Sequence, residues 1–296
     1  MPLVFAAIAP HGGLAVAEAC APDEVDLARV TRAGMQKLGR AFNAARPDVV
    51  VVATPHNVHI PGAFAVIVAG RLAGSLEGTP EPVMLDVPSE TQLSWLLLET
   101  LVGDSLPAVG VSFGSNDAST AVAPMDWGIL IPLWFMGGRK DPPLPVVVIT
   151  PARDLSAEAH VRAGAAIAAA AATSRRRVAF IASADHAHAH RADGPYGYHT
   201  NAAVYDDIVC RLVSSDRLRG LLDIPLALVE QAKADSWWQM LMLLGATGDG
   251  WHGRLISYEA PTYFGMLTAS YKPAPTLSRR TSSQPRTRRH RRTPAR

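Results

Sequence analysis

The 296-residue chain has little cysteine, few aromatic side chains and no long apolar run. Its two cysteines, Cys20 and Cys210, are too few for a disulfide framework or for a zinc cluster built on thiolates. No stretch approaches the roughly 18 consecutive apolar residues of a membrane helix, and the N-terminus lacks the basic and apolar segments of a signal peptide. We therefore expect a cytoplasmic protein without a membrane partner. Its 48% of hydrophobic residues suffice for a packed core.

Acidic residues are absent from the C-terminal end. All 26 Asp and Glu residues precede Pro273, whereas residues 279–296 contain eight of the 28 Lys and Arg residues. The body is therefore acidic, although the whole chain has a formal net charge of +2. We predict a folded domain over residues 1–272 and a disordered basic tail over residues 273–296. Nucleic-acid binding by the tail is the less favoured interpretation, because no aromatic side chains are interleaved with its arginines.

Strand-like and helix-like segments alternate along the body. Strands are predicted over residues 4–8, 49–52, 63–68, 109–113, 146–149 and 178–182, with a further strand or hairpin within 256–271. Helices are predicted over residues 23–45, 89–101, 156–173, 200–213 and 235–244, and a Gly- and Pro-rich loop over residues 70–82. Uninterrupted Val and Ile runs are typical of strands covered on both faces. The pattern predicts an α/β fold, a single domain with a central mixed sheet flanked by helices.

Histidines follow three of these strands. His11 lies just beyond the first strand and His56 beyond the second, each directly after a proline. The strand at 178–182 is followed by three alternating histidines, His186, His188 and His190. Side chains beyond the carboxyl ends of neighbouring strands converge on one crevice in an open α/β sheet. Two imidazoles and one carboxylate suit a mononuclear ferrous ion with open positions, so the pair predicts a metal site. Either histidine alone would be more typical of a hydrogen-bonded strand end.

Four short motifs occur in a set order along the body. They are Pro10-His11-Gly12, Ala53-Thr54-Pro55-His56-Asn57, Met125-Asp126-Trp127-Gly128-Ile129-Leu130-Ile131-Pro132-Leu133 and Ser183-Ala184-Asp185-His186-Ala187-His188. Their order and spacing resemble the class III extradiol ring-cleavage dioxygenases, the LigB-type enzymes named for the catalytic subunit of protocatechuate 4,5-dioxygenase. The resemblance runs from about Val4 to Tyr271. It implies Fe(II), O2, a small aromatic diol substrate and a muconic semialdehyde-type product. It also implies a homo-oligomer or pairing with a small companion subunit.

The resemblance assigns roles to individual residues. It implies that His11 and His56 are iron ligands and that His188 is the acid–base histidine. The third ligand in the family is a glutamate near the start of a late helix, and the nearest acid here is Asp235. Glu230 and Glu259 remain alternatives, and Asp235 would equally suit a helix N-cap.

One position departs from the family's pattern. Several members have a second active-site histidine where this chain has Trp127. Tryptophan does not exchange protons at neutral pH, but its ring can stack on an aromatic substrate. A relay of two histidines is therefore in question, with His188 acting alone or together with His186. Trp127, His186 and Tyr198 are the candidate substrate-binding residues, with Tyr196 as a further wall of the pocket.

Two other functions stay open at this point. Two histidines and an acid also suit Zn²⁺ with a bound water, which would make the protein a zinc-dependent hydrolase with His188 activating that water. Alternatively, the chain is a non-catalytic metal- or ligand-binding relative, which Trp127 and the open choice of third ligand favour.

Overall fold

The computed structural model describes residues 3–274. Its helices are α1 (Arg29–Ala45), α2 (Thr91–Gly103), α3 (Trp127–Phe135), α4 (Ala157–Ser174), α5 (Asn201–Ser214), α6 (Leu226–Ala232) and α7 (Trp237–Thr247). Its strands are β1 (Leu3–Ala9), β2 (Val49–Ala53), β3 (Phe64–Ile67), β4 (Arg71–Ser75), β5 (Met84–Pro88), β6 (Ala108–Val111), β7 (Val122–Pro124), β8 (Val146–Thr150), β9 (Val178–Ser183), β10 (Trp251–Glu259) and β11 (Met266–Pro273). The basic part of the predicted tail lies outside the described residues.

Eight strands form a mixed central sheet in the order β10-β11-β1-β9-β2-β8-β3-β6. The four middle strands β1, β9, β2 and β8 are mutually parallel, whereas β11 runs antiparallel to β1 and β3 runs antiparallel to β8. A smaller sheet, β5-β4-β7, lies beside it. The predicted α/β class with a central mixed sheet flanked by helices is confirmed.

The central strands are covered on both faces, as their continuous Val and Ile runs predict. Along β2, Val49 and Val51 pack with the core that includes α2, α4, α5 and α7, whereas Val50 and Val52 pack with the core that includes α1 and α3. Every residue of β2, β8 and β9 is buried. Side chains of these strands are therefore committed to the core, and polar chemistry can only begin where the strands end.

Helix α7 packs unusually close to α4. A Cβ atom added at Gly164 would collide with the backbone of Met242, and one at Gly245 would collide with the backbone of Val161. The two glycines thus bring the helix backbones together, which fixes α7 and the segment preceding it against the sheet. The Gln239 amide of α7 also donates to the Ser183 carbonyl oxygen at the end of β9, at 3.1 Å.

Three sequence-based predictions of elements need correction. The helix expected from residue 23 begins at Arg29, because Glu24 folds back to accept from the Ala21 amide and the preceding residues form turns. The loop expected over residues 70–82 contains β4, whose Gly74 packs against the carbonyl of Met125 at a distance that no larger residue tolerates. The late helix begins at Trp237 rather than at Asp235.

Helices α3 and α6 were not expected. Pro132 lies inside α3, and α6 is only seven residues long, so neither has a clear helical signal in the sequence. Within residues 3–274, no helix combines the length and apolar character needed to cross a membrane.

Candidate metal centre

The carboxyl ends of three adjacent strands meet at one point of the sheet. In the parallel register of β1 and β9, Ala9 lies beside Ser183, and Ala53 of β2 lies beside Ala182 of the same β9. His11 therefore emerges two residues beyond β1, next to the segments that follow β9 and β2. This is the convergence that strand order imposes on an open sheet.

Three side chains bring their donor atoms within metal-binding reach of one another. The Nε2 atoms of His11 and His56 are 3.1 Å apart, and the Asp235 Oδ2 atom lies 3.4 Å from the first and 3.7 Å from the second. Ligand bonds of about 2.0–2.2 Å to a central ion produce donor separations of this size. The other oxygen, Asp235 Oδ1, is buried and has no hydrogen-bond partner within residues 3–274. The donor set and this unpartnered oxygen fit a divalent cation bound by two imidazoles and a carboxylate.

A serine fixes the tautomer of His11. Ser183 Oγ donates its only proton to the Gly128 carbonyl oxygen, so it must accept at its contact of 2.9 Å with His11 Nδ1. The His11 Nδ1 atom therefore carries a proton. The Nε2 atom is consequently available to a metal, in the arrangement typical of metal-binding histidines that donate through their second nitrogen.

The loop that carries His56 is tied to α3. Asn57, in a left-handed conformation at φ 75°, donates through Nδ2 to Asp126 Oδ2 at 2.9 Å. Asp126 also caps α3 by accepting from the Gly128 amide at 2.7 Å. The same helix start places the Trp127 ring against the His56 ring, with centroids 4.7 Å apart. The motif around Trp127 therefore orients one of the predicted ligands.

Neighbouring charges separate the pKa values of the two imidazoles. Burial alone would lower the pKa of His11, but the carboxylates of Asp185 and Asp235 outweigh it and raise the pKa to about 9. Burial and the nearby charge of His11 lower the pKa of His56 to about 3. The two facing imidazoles therefore differ strongly in their affinity for a proton.

Asp185 is a second buried carboxylate beside the three donors. Its Oδ1 atom accepts from the His11 backbone amide at 3.0 Å, and its Oδ2 atom lies 3.5 Å from His11 Nε2. Burial, together with the negative charge of Asp235, raises the pKa of Asp185. Burial acts the same way on Asp235, but the charge of His11 and its hydrogen bond hold the pKa of Asp235 below its usual value.

The position of Asp185 in the site follows from the same strand-end rule that predicts the position of His11. Asp185 stands two positions beyond β9, as His11 stands two positions beyond the neighbouring β1.

The alternatives for the third carboxylate occupy other places. Glu259 accepts from the Thr31 amide in the first turn of α1, and Glu230 is exposed at the rim of a cavity. Asp235 precedes the Ser236 N-cap of α7, and within residues 3–274 it accepts no hydrogen bond from that helix's first turn. The structure therefore brings Asp235, and neither glutamate, to His11 and His56.

His188 stands on the wall of the site in a defined tautomer. Its Nδ1 atom lies 3.0 Å from the Lys233 carbonyl oxygen, which can only accept, so Nδ1 carries a proton. Its ring stacks on Phe264 with centroids 5.4 Å apart, and Tyr196 and Tyr263 lie near its edges. The half-buried imidazole therefore has an Nε2 lone pair that can accept a proton.

Two cavities adjoin the donor atoms. One, of about 410 Å³, is lined by His56, His188, Asp235, Arg153, Lys233 and Trp238, among others. The other, of about 500 Å³, is lined by residues that include His11, His56, Trp127, Asp185, His188 and Tyr196. Trp127, 50% exposed, forms part of the wall of this second cavity.

Two residues expected to contact substrate lie elsewhere. His186 is fully buried, with its Nδ1 atom 2.9 Å from Ser236 Oγ, because its side chain faces the core beneath α7. Tyr198 is 62% exposed and pairs through its backbone with His190, and it lines neither cavity. Tyr196, two residues earlier, lines both.

Residues 5–267 match the family described as the catalytic LigB subunit of aromatic ring-opening dioxygenase. A curated relative, Protein CA_C1420 of Clostridium acetobutylicum, is 24% identical over 256 residues, which are 84% of this chain and 53% of that protein. The chain thus spans about half the length of this relative.

A solved structure extends the comparison to the fold. The crystal structure of uncharacterized protein JW3007 from Escherichia coli K12 has a TM-score of 0.59 to this chain at 20% identity, covering 90% of this chain and 99% of that one. At this level of identity the likeness concerns the fold alone. Because the family match covers most of the described residues, the chain belongs to the LigB family of aromatic ring-opening dioxygenase catalytic subunits.

Proposed function

We propose that this protein is an Fe(II)-dependent extradiol dioxygenase, which opens a catechol-type ring with O2 to a muconic semialdehyde-type product. The observation that carries the proposal is the meeting of His11, His56 and Asp235 at a cavity that His188 also lines. Two imidazoles and one carboxylate leave positions for a diol and for O2. The family match supports the same reaction class.

The ligand set suits a ferrous ion, which the proposed reaction with O2 requires. A ferrous ion held by His11, His56 and Asp235 would supply Lewis acidity toward the diol oxygens and the redox capacity to activate O2. The protein's own contribution is to present the three donors on one side. Ser183 holds the His11 ring and Trp127 contacts the His56 ring, so the two imidazoles keep their orientation without rearrangement.

His188 is the proposed acid–base residue. Because Nδ1 donates to the Lys233 carbonyl oxygen, the lone pair is on Nε2 and can accept a phenolic proton from the substrate. The same proton, held on Nε2, can later be returned to an oxygen of the reacting ring. Stacking on Phe264 keeps the ring in place during both transfers. His186 is buried and lines neither cavity, so His188 performs this role alone.

Where several family members have a histidine, this chain has Trp127, which forms an aromatic wall and cannot transfer a proton. Its ring stands beside His56 at the mouth of the second cavity, where an aromatic substrate would enter. An indole at this position excludes water and offers a stacking surface but no acid–base group. The proposal therefore has one proton-transferring residue where a two-histidine relay would have two.

The experiment that tests the proposal is anaerobic reconstitution with Fe(II), followed by addition of catechols and air. A yellow ring-opened product that requires both iron and O2 would support the dioxygenase. Turnover that survives with zinc and without O2 would instead favour the hydrolase. Absence of metal binding would favour a non-catalytic relative. The variant His252→Gln, changed at an exposed residue of β10, serves as a handling control.

Several expectations accompany this proposal as predictions. They are a cytoplasmic location, a homo-oligomeric state or a small companion subunit, and the lack of a nucleic-acid partner. Size-exclusion chromatography with light scattering would measure the assembly state directly.

A further inference from the structure

Asp206 of α5 contacts the chain on both sides of His188. It is 1% exposed, and its Oδ1 atom accepts from the amide of Ala187, the residue directly before His188, at 2.9 Å. Its Oδ2 atom lies 2.8 Å from Nε2 of His190, two residues after His188. The Tyr258 hydroxyl of β10 donates to the same Oδ2 atom at 2.6 Å. One buried carboxylate therefore holds the chain before and after the proposed acid–base residue.

Backbone hydrogen bonds hold the same stretch of chain. The His188 amide donates to the Ala232 carbonyl oxygen at 2.9 Å, and the Gly265 amide donates to the Ala187 carbonyl oxygen at 3.0 Å. A Cβ atom added at Gly265 would collide with Asp206 Oδ2, so the close approach of this backbone to the carboxylate requires glycine. The backbone around His188 is thus held by Asp206 together with the segments that contain Ala232 and Gly265.

Three donors satisfy the Asp206 carboxylate. Burial and the charge of Asp206 raise the pKa of Tyr258, so the Tyr258 hydroxyl keeps its proton and donates it. A carboxylate only accepts, so His190 Nε2 carries the proton of its contact with Oδ2. Within residues 3–274, no Lys or Arg nitrogen lies within 4.0 Å of this carboxylate. The carboxylate therefore depends on these hydrogen bonds rather than on an Arg or Lys ion pair, and each bond has a direction that orients its donor.

The direction of the His188 ring depends on the backbone that Asp206 holds. The ring has one hydrogen bond within residues 3–274, from Nδ1 to the Lys233 carbonyl oxygen at 3.0 Å. A shift of the His188 backbone would lengthen this bond and turn Nε2 away from the cavity. Asp206 lines neither cavity and lies outside the set of three metal donors. Its influence on the site therefore passes through the residues beside His188.

We infer that Asp206 is a positioning residue, which directs Nε2 of His188 at the reacting centre by holding the Ala187 amide and the His190 ring. The inference rests on the proposed function, in which His188 transfers a proton. Misplacing a reacting group by about 1 Å costs about 10²-fold in rate. Loss of the Asp206 carboxylate should therefore slow proton transfer while leaving the three metal donors, and iron binding, intact.

The principal test is Asp206→Asn, which keeps the size of the side chain but presents an N–H group where the carboxylate accepted. We expect kcat with catechol and O2 to fall about 10- to 100-fold, while KM and iron content change by less than about 2-fold. The matched control is Asp207→Asn, because Asp207 is the next residue of α5 and its exposed carboxylate pairs with Arg211 at 2.7 Å. This control should keep the wild-type kcat. A thermal melt of each variant checks folding.

A double variant separates positioning from general destabilisation. If Asp206 acts through His188, Asp206→Asn should change kcat by less than about 3-fold in a protein that already carries His188→Gln. A change that only loosens the fold would lower kcat by the same factor in both backgrounds. The comparison therefore measures whether the effect of Asp206 requires the His188 imidazole.

A second measurement does not depend on turnover. In the full-length chain without metal, ¹⁵N NMR of labelled histidines at about pH 8 reports which ring nitrogen carries the proton. The His188 signals are those that His188→Gln removes. The wild type should show the tautomer protonated at Nδ1, and Asp206→Asn should show a mixture of tautomers. His190→Leu removes a donor to Asp206 and should act in the same direction, whereas His190→Gln keeps an N–H group and should resemble the wild type.

The outcomes distinguish this inference from the proposed function. A wild-type kcat in Asp206→Asn, an equal loss in the His188→Gln background, or an unchanged His188 tautomer overturns the inference and leaves the dioxygenase proposal intact. If the wild type forms no ring-opened product, the dioxygenase proposal fails, and the His188 tautomer in Asp206→Asn decides the inference. If Asp206→Asn does not fold, His190→Leu and His190→Gln take its place, and equal kcat and tautomers in these two variants overturn the inference.

Discussion

The inner and outer parts of the cleft are built differently. The inner part consists of the half-buried His56 and of four residues that are at most 7% exposed, His11, Ser183, Asp185 and Asp235. Hydrogen bonds or close polar contacts hold these side chains. The outer part consists of Trp127, Arg153, Tyr196 and Lys233, all exposed and on loops or helix ends. The inner groups lie at strand ends or just before the tightly packed α7, so the fold dictates their positions. The outer groups are free to differ without disturbing the sheet.

In the proposed function, this contrast separates metal binding from substrate selection. Buried groups on rigid elements can keep the distances that a bound metal requires. Exposed groups at the rim would govern which molecule enters. Substitutions in the inner part should therefore affect metal binding or turnover severely, and substitutions in the outer part should mainly affect substrate affinity.

The largest effect is expected from His11→Ala. Loss of one imidazole leaves two donors and an uncompensated pair of buried carboxylates, Asp185 and Asp235. We expect Fe(II) affinity to fall by more than about 100-fold, beyond the effect typical of removing an indirect support. Metal content after anaerobic desalting measures it. His252→Gln should retain the metal, and a metal-replete His11→Ala protein would contradict the ligand assignment.

The next effect concerns turnover rather than metal. His188→Gln should keep iron at the wild-type level, because the residue lies on the cavity wall rather than among the three donors. It should lower kcat by about 10²- to 10⁴-fold, the contribution typical of general acid–base catalysis. Steady-state oxygen uptake with a catechol measures the loss. Turnover at the wild-type rate would remove the assigned role from His188.

A smaller effect is expected from Ser183→Ala. This change frees His11 Nδ1 and removes the group that fixes the tautomer, while leaving all three donors in place. We expect Fe(II) affinity to fall by about 10- to 100-fold, as for other groups that orient a metal-binding histidine. Anaerobic calorimetric titration measures the affinity. As a control, Ser156→Ala removes a serine that caps α4, and this change should leave Fe(II) affinity unchanged.

The smallest effect is expected in the outer part. Trp127→Phe keeps an aromatic wall beside His56 but reduces its area. We expect KM to rise by less than about 10-fold with kcat and iron content nearly unchanged, since the loss is one of apolar contact. Kinetics over a range of catechol concentrations separate the two constants. A large fall in kcat with unchanged KM would place Trp127 in the chemistry rather than on the wall.

The sequence predicted the inner part better than the outer part, for physical reasons. Val runs covered on both faces marked the strands, and strand ends in a parallel sheet must converge, so His11 and His56 could be placed without coordinates. Asp235 could be anticipated only through the family resemblance, because its approach depends on the close packing of α7 on α4. Asp185 was overlooked although it follows the same strand-end rule.

The outer part depends on loop geometry that local patterns do not encode. His186 and His188 are two residues apart, yet one is buried under α7 and the other lines the cavity, because the segment after β9 bends through contacts with Gly265 and Ala232. Alternation alone could not tell which histidine faces the site. Tyr196 and Tyr198 present the same ambiguity in a turn. No sequence motif marks Arg153, whose guanidinium packs over the Trp238 ring in the structure.

The most direct test of the central claim is the fate of labelled oxygen. Iron-loaded protein would be supplied with 3,4-dihydroxybenzoate and ¹⁸O2, and the product would be examined by mass spectrometry. The proposal predicts an iron-dependent, ring-opened product that carries both oxygen atoms from O2, apart from any later exchange with water. A product formed without iron, or one whose added oxygen comes only from water, would contradict it.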